Sequence, residues 1–174
     1  MKTLTLIRHA KSSWSNLALD DHERPLNNRG QSAAPKIGKY LAKQIASEFI
    51  PPPDYVLSST AVRARTTAEI IAPFLHVDPA NLTLDDDLYH ASEHQILAAI
   101  QNKIPESAQH AILFGHNPGF EYLASSLLKS DKDRAQIPRF PTCATAVLEF
   151  PVDHWALIDI ASATLRDFVI PRAL

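Results

Sequence analysis

Apolar residues fall along this chain in two rhythms, and the change from one to the other marks its elements. Thr3 to Ile7 is a short apolar run with little alternation, the pattern of a strand covered on both faces of a sheet. It stops abruptly at Arg8-His9. Ser12 to Asn28 has neither period and reads as a loop. Asn27 or Asn28 then caps a helix in which Ala34, Ile37, Leu41 and Ile45 recur at helical spacing, with Pro35 expected near its first turn. Pro51-Pro52-Pro53 ends that helix, and Asp54 to Ser58 follows as a second strand. Ser59 and Thr60 are the expected caps of a helix that turns Val62, Ile70, Ile71 and Phe74 inward, with Pro73 in its last turn.

Leu82-Thr83-Leu84 reads as a third strand, Ser92 to Ile100 as a helix and His110 to Phe114 as a fourth strand. Asn117 as cap with Pro118 at the first helical position predicts a helix running to about Leu128. Lys129 to Arg139 is charged and irregular. Thr145 to Phe150 and Trp155 to Ile160 read as an antiparallel pair of strands joined by Pro151-Val152-Asp153. Alternating strands and helices at crossover spacing predict an α/β fold, a three-layer α/β/α sandwich around a mainly parallel sheet.

Length and charge narrow the possibilities. A chain of 174 residues is the size of one domain, so residues 1–174 are expected to share one core. With 17 basic and 19 acidic residues the formal charge is -2, which argues against nucleic acid or an anionic membrane as partner. Cys143 is the only cysteine, so an internal disulfide and multi-cysteine metal sites are excluded, and it is expected to be a small buried hydrophobe. No stretch approaches the ~20 apolar residues of a membrane span, and no leader pattern is visible, so the expected compartment is the cytoplasm.

The chemistry gathers at strand ends. In a parallel sheet the carboxyl ends of strands share one rim, where ligands bind. Arg8-His9 and Gly115-His116 both sit at such ends, and Arg63 falls in the first turn of the helix after the second strand. Two guanidiniums, two imidazoles and the free backbone donors near Asn117 suit a dianionic tetrahedral group. By contrast, Arg65 lies four residues before Glu69 and reads as a surface ion pair. Asp20 and Asp21 read as orienting Arg24. His22, His76, His110 and His154 have no companion motif. His90-Ala91-Ser92-Glu93-His94 matches a zinc-peptidase string, but Ser92 as a helix cap leaves His90 outside the helix, so no metal site is expected.

Five segments together resemble the histidine phosphatase superfamily, and within it the small SixA-type phosphohistidine phosphatases. They are Leu6 to Lys11, Arg24 to Gly30, Ser58 to Ala64, Leu88 to Ser92 and Gly115 to Gly119, in the family's order across most of the chain. The resemblance implies a phosphoglycerate mutase-like fold and a hydrolase without cofactor. It implies His9 as a nucleophile that forms a phosphohistidine, with Arg8, Arg63 and His116 holding the phosphoryl oxygens and Asn117 and Ser15 or Asn16 as further phosphate contacts. Its substrate would be a phosphorylated protein or a small phosphorylated molecule. A phosphatase of phosphomonoesters or an inactive phosphate-binding module is the alternative.

The departures from the family are specific. Ala10 and Lys11 stand where many members have glycine and glutamate, as the SixA-type group allows. The usual general acid, a glutamate after the third strand, has no clear counterpart among Asp85, Asp86, Asp87, His90 and Glu93. A weak acid suits a substrate whose leaving group is an imidazole, which protonates near neutral pH, better than one that must expel an alkoxide.

Overall fold

The computed structural model describes residues 1–174. Its centre is β1 (Lys2–Arg8), which pairs in parallel with β4 (His110–Gly115) and antiparallel with β5 (Thr145–Phe150). With β2 (Tyr55–Ser59), β3 (Thr83–Asp85) and β6 (Thr164–Val169) the sheet has the order β3-β2-β4-β1-β5-β6. β1 to β4 are mutually parallel, and β5 runs against β1 and β6.

Successive β1 side chains enter different cores. Leu4 and Leu6 face one side, with Leu57, Leu113, Leu148 and Phe120. Ile7 faces the other, with Val56, Phe114, Ile37 and Leu41. α1 (Asn28–Ala46) and α2 (Val62–Ile71) cover the second face, while α3 (Glu93–Lys103) and α4 (Gly119–Leu127) cover the first. That double cover is why β1 is buried along both faces, Thr3 and Thr5 included. Each fully buried leucine in these layers contributes roughly 1.5–3 kcal/mol by leaving water.

Asn27 caps α1, accepting the Gly30 amide at 2.9 Å. Pro35 is not in the first turn: it is the eighth residue of an unbroken helix. The carbonyl that loses its donor belongs to Gln31, an exposed residue. Ser92 caps α3 in a reciprocal capping box with Gln95.

Three expected element ends are corrected. α2 starts after Ala61 without a side-chain cap, because Ser59 Oγ accepts the Ala61 amide ahead of the helix and Thr60 turns to Asp86. α4 begins at Gly119 and Asn117 does not cap it; the Asn117 amide donates instead to the Phe140 carbonyl at 2.8 Å. Trp155 to Ile160 is not a strand. Trp155 opens a single 3-10 turn, is fully buried, and donates its indole N–H to the Ala108 carbonyl at 2.9 Å. The antiparallel partner of β5 is β6, whose register slips between Val147 and Leu148. A short helix, α5 (Asp131–Arg134), interrupts the irregular segment. No helix is long and apolar enough to cross a membrane.

Candidate active site

The register of the central strands assembles the site. Arg8 pairs with Gly115 across β1 and β4, so the next residues, His9 and His116, leave the sheet side by side. The His9 amide donates to the Gly115 carbonyl at 2.9 Å, and the two imidazole centroids lie 5.2 Å apart. On the other side of β4, Ser58 pairs with Phe114, which delivers Ser59 Oγ to within 2.8 Å of His116 Nε2. Thr67 ties the corner to α2: its Oγ1 accepts the Ala10 amide at 2.9 Å and donates to the Arg63 carbonyl at 2.7 Å. Arg63, one turn earlier, is thereby fixed beside His9. Cys143, at φ 61°, donates its amide to the carbonyls of Arg8 and His9 and closes the corner from β5.

His9 is buried and its tautomer is determined. Nδ1 lies 2.7 Å from the Ala10 carbonyl, which can only accept, so Nδ1 carries the proton and Nε2 keeps its lone pair. Burial, with Arg63, Arg8 and Arg24 adding their charges, lowers its pKa to about 4. His116 is pushed still further down by burial, by His9 and by Arg63. Ser59 Oγ accepts the Ala61 amide and also bonds His116 Nε2; when the hydroxyl donates to Nε2, the imidazole proton stands on Nδ1. That Nδ1 and the Nε of Arg8 are buried with no protein partner. The unpaired guanidinium nitrogen of Arg8 is a buried donor with no acceptor in the protein, beside the neutral imidazole of His9, which suits an anion.

Arg8, His9, Arg24 and Arg63 line a cavity of about 180 Å³ with Ser12 and Trp14. Asp21 organises its cations. One carboxylate oxygen accepts from Arg24 at 2.9 Å, the other from Arg63 at 3.0 Å and from the Tyr89 hydroxyl, and the Asp21 carbonyl accepts from Arg63 at 2.7 Å. Tyr89 first, then Arg24 and Arg63, hold the Asp21 carboxyl far below the usual carboxylate range. Asp21 thus does more than orient Arg24. Arg65 points away, bonded to Glu69 at 2.8 Å with half its side chain in solvent.

Other expected contacts fall elsewhere. Ser15 and Asn16 are exposed and bond within their own loop, to Ser13 and to the Ala18 amide, so neither reaches the cavity; Trp14, stacked on the Arg24 guanidinium, does. Asn117 spends its amide on Phe140 and Glu121, although its Oδ1 is buried and unpartnered. Among the acid candidates, Asp85 and Asp87 pair with Lys103, Asp86 accepts from Thr60, and Glu93 lies 3.9 Å from His94. His90 alone approaches the site, its ring 4.0 Å from Tyr89 and 6.2 Å from His116, with Nε2 3.5 Å from Asp21. It stands outside α3 at φ 55°, so it cannot share a helix face with His94, and no group of three His, Cys, Asp or Glu is placed to hold a metal.

Comparison with known proteins now bears on this geometry. Residues 4–92 match the model of the histidine phosphatase superfamily, branch 1. The chain belongs to that superfamily. Within it the chain is of the SixA type. It is 30% identical to the putative phosphohistidine phosphatase SixA from Agrobacterium tumefaciens, with a TM-score of 0.78 over 98% of both chains. A putative SixA from Nakamurella multipartitia gives 27% identity and a TM-score of 0.80 over 98% of this chain and 96% of that one. An uncharacterized protein of Mycobacterium tuberculosis is 33% identical over 95% of this chain and all of its own length.

Three buried neutral imidazoles predict acid lability. His110 joins His9 with a pKa near 4, lowered mainly by burial; it bonds the Pro51 carbonyl through Nδ1 and Thr5 through Nε2. Between pH 6.5 and about 4 the unfolded chain takes up protons that the folded chain refuses, so stability falls as pH drops through that window and is level above it. Thermal midpoints between pH 7.5 and 4.5 should decline only below about pH 6.5; a flat profile would show that these imidazoles are not held neutral.

Proposed function

We propose that this histidine phosphatase removes the phosphoryl group from a phosphohistidine on a protein, through a covalent intermediate on His9. The observation that carries the reading is the Nδ1–H bond to the Ala10 carbonyl, which leaves Nε2 as an unprotonated nucleophile among three guanidiniums. Its lone pair attacks phosphorus, the substrate P–N bond breaks, and the departing imidazole takes up a proton. Water then attacks the phosphorus, the bond to Nε2 breaks, phosphate leaves and His9 is neutral again. Arg8, Arg63 and His116 hold the oxygens whose charge shifts during transfer. This is positioning and electrostatic stabilisation, the main demands of phosphoryl transfer. The guanidiniums supply positive charge that a divalent ion supplies elsewhere, so turnover is expected to persist in excess chelator.

The leaving group decides the substrate class. An imidazole needs only one easily acquired proton, whereas an alkoxide needs a strong donor, and His90 is the one acid candidate near the site. Similarity to putative phosphohistidine phosphatases supports the same choice. The test compares a phosphohistidine protein, a free phosphoramidate and a panel of phosphomonoesters in one chelated buffer. The first two should be hydrolysed with the higher kcat/KM, without phosphoglycerate mutase activity. His90→Ala should slow phosphomonoesters about 100-fold and the phosphoramidates less than about threefold. A phosphomonoester as best substrate would overturn the assignment while leaving a phosphatase.

A further inference from the structure

The phosphate cavity is open on the Lys11 side. Lys11 and Thr142 also line a neighbouring cleft of about 310 Å³, with Arg29 and Arg172 on its rim and Ala33, Pro141, Ile170 and Pro171 along its floor. Arg29 and Arg172 continue into a shallower hollow that reaches Lys36. No Asp or Glu lines any of the three cavities. None of Lys11, Arg29, Lys36 and Arg172 forms an ion pair within the protein. Four uncompensated cations therefore follow one track on a chain whose net charge is -2.

Local electrostatics opposes this arrangement. Arg29 lies in the first turn of α1, where the helix dipole favours acids, and that turn contains none. The backbone is shaped to keep it there. A Cβ on Gly30 would stand 2.2 Å from the Lys11 carbonyl oxygen, so only glycine lets α1 settle against Lys11, and the Asn27 amide donates to that same oxygen. Cations gathered against the helix dipole and left unpaired are placed for an external anion.

We infer that this cleft is a second anion subsite, which receives acidic residues flanking the phosphohistidine of a protein substrate and seats an apolar neighbour on the proline floor. The inference rests on the phosphohistidine reading above. The track outlasts a single phosphoryl group, and Trp14, which lines the phosphate cavity, stands exposed with Leu17 three residues on in the same loop, apolar surface suited to a protein. No aromatic side chain lines the cleft, so it offers no platform on which bases stack.

The test uses phosphohistidine peptides of equal length with acidic, neutral or basic flanks, beside free phosphoramidate, on the wild type and on Arg29→Glu/Arg172→Glu. Wild type should prefer the acidic peptide over the neutral one about tenfold in kcat/KM, a preference that fades as salt rises. The double variant should lose that preference and keep phosphoramidate turnover within about twofold. An unphosphorylated acidic peptide should perturb the amide resonances of Ala33 and Ile170 in wild type and not in the double variant. Tighter binding of an oligonucleotide of equal charge, or equal turnover of acidic and neutral peptides, would overturn the subsite while the phosphatase stands. Binding of the acidic peptide without turnover of any phosphoramidate would overturn the function and leave the subsite.

Discussion

His9→Ala should abolish turnover of phosphohistidine and phosphomonoester alike, lowering kcat by roughly 10⁴- to 10⁶-fold, the scale on which removal of a nucleophile acts. The expectation follows from its position. In the proposed route Nε2 is the nucleophile, the ring nitrogen left unprotonated when Nδ1 donates to Ala10; His9 lines the cavity with Arg8, Arg24 and Arg63, and burial keeps its ring neutral well below pH 6.5. Because Nδ1 is committed to the Ala10 carbonyl, the trapped intermediate should carry its phosphoryl group on Nε2, as an acid-labile, base-stable adduct. Quenching wild type in base during turnover and measuring intact mass should show one added phosphoryl group, absent from His9→Ala. The isomer is read by NMR. Phosphorylation on Nδ1, or an unmodified wild type during rapid turnover, would refute the covalent route through this atom.

The meeting of His9 and His116 was visible in the sequence because it depends on where strands end. An unalternating run broken by Arg8-His9, and a second strand broken by Gly115-His116, place both histidines on one rim as soon as the sheet is parallel, and the observed register puts them in neighbouring rows. Arg63 was visible for the same reason, since a helix must start soon after β2. The groups that hold these residues were not. Thr67 clamps Ala10 to Arg63 across 57 positions of sequence, and Asp21 joins Arg63 and Tyr89 across 42 and 68. Such contacts have no local period; they exist only once packing is complete. A sign was present for Asp21, three residues before Arg24, but spacing alone reported only the nearer partner.

The misread elements have a related cause. Asn117-Pro118 looks like a cap and first turn, yet the Phe140 carbonyl, supplied from the segment before β5, attracts both the Asn117 amide and the Arg8 guanidinium. Trp155 and Ile158 look like strand residues because they are large and buried. They anchor instead into the core beneath α3, and the weaker pattern of Thr164 to Val169, half-exposed along most of the sheet edge, forms the strand. Edge strands carry little alternation to read.

Arg63→Ala should lower kcat/KM by about 10²- to 10³-fold, some 3–4 kcal/mol of transition-state stabilisation, while Arg65→Ala should change it less than about twofold. The two arginines are two residues apart on α2, so a general effect of helix charge would touch both. Their surroundings differ completely. Arg63 is 5% exposed, lines the cavity with His9 and is held in place there by bonds from two of its nitrogens to Asp21; Arg65 is solvated and bonded only to Glu69. An exposed i,i+4 pair of that kind contributes about 0.3–0.5 kcal/mol. Removing Arg63 leaves Asp21 supported by Arg24 and Tyr89, so the variant should still fold, and a thermal midpoint beside each rate separates lost chemistry from lost structure. Arg63→Lys should recover only part of the rate, since an ammonium restores the charge without the paired donors. Equal losses for Arg63→Ala and Arg65→Ala, at unchanged stability, would mean that charge on α2 steers the substrate from a distance and that the guanidinium of Arg63 does not hold the phosphoryl group.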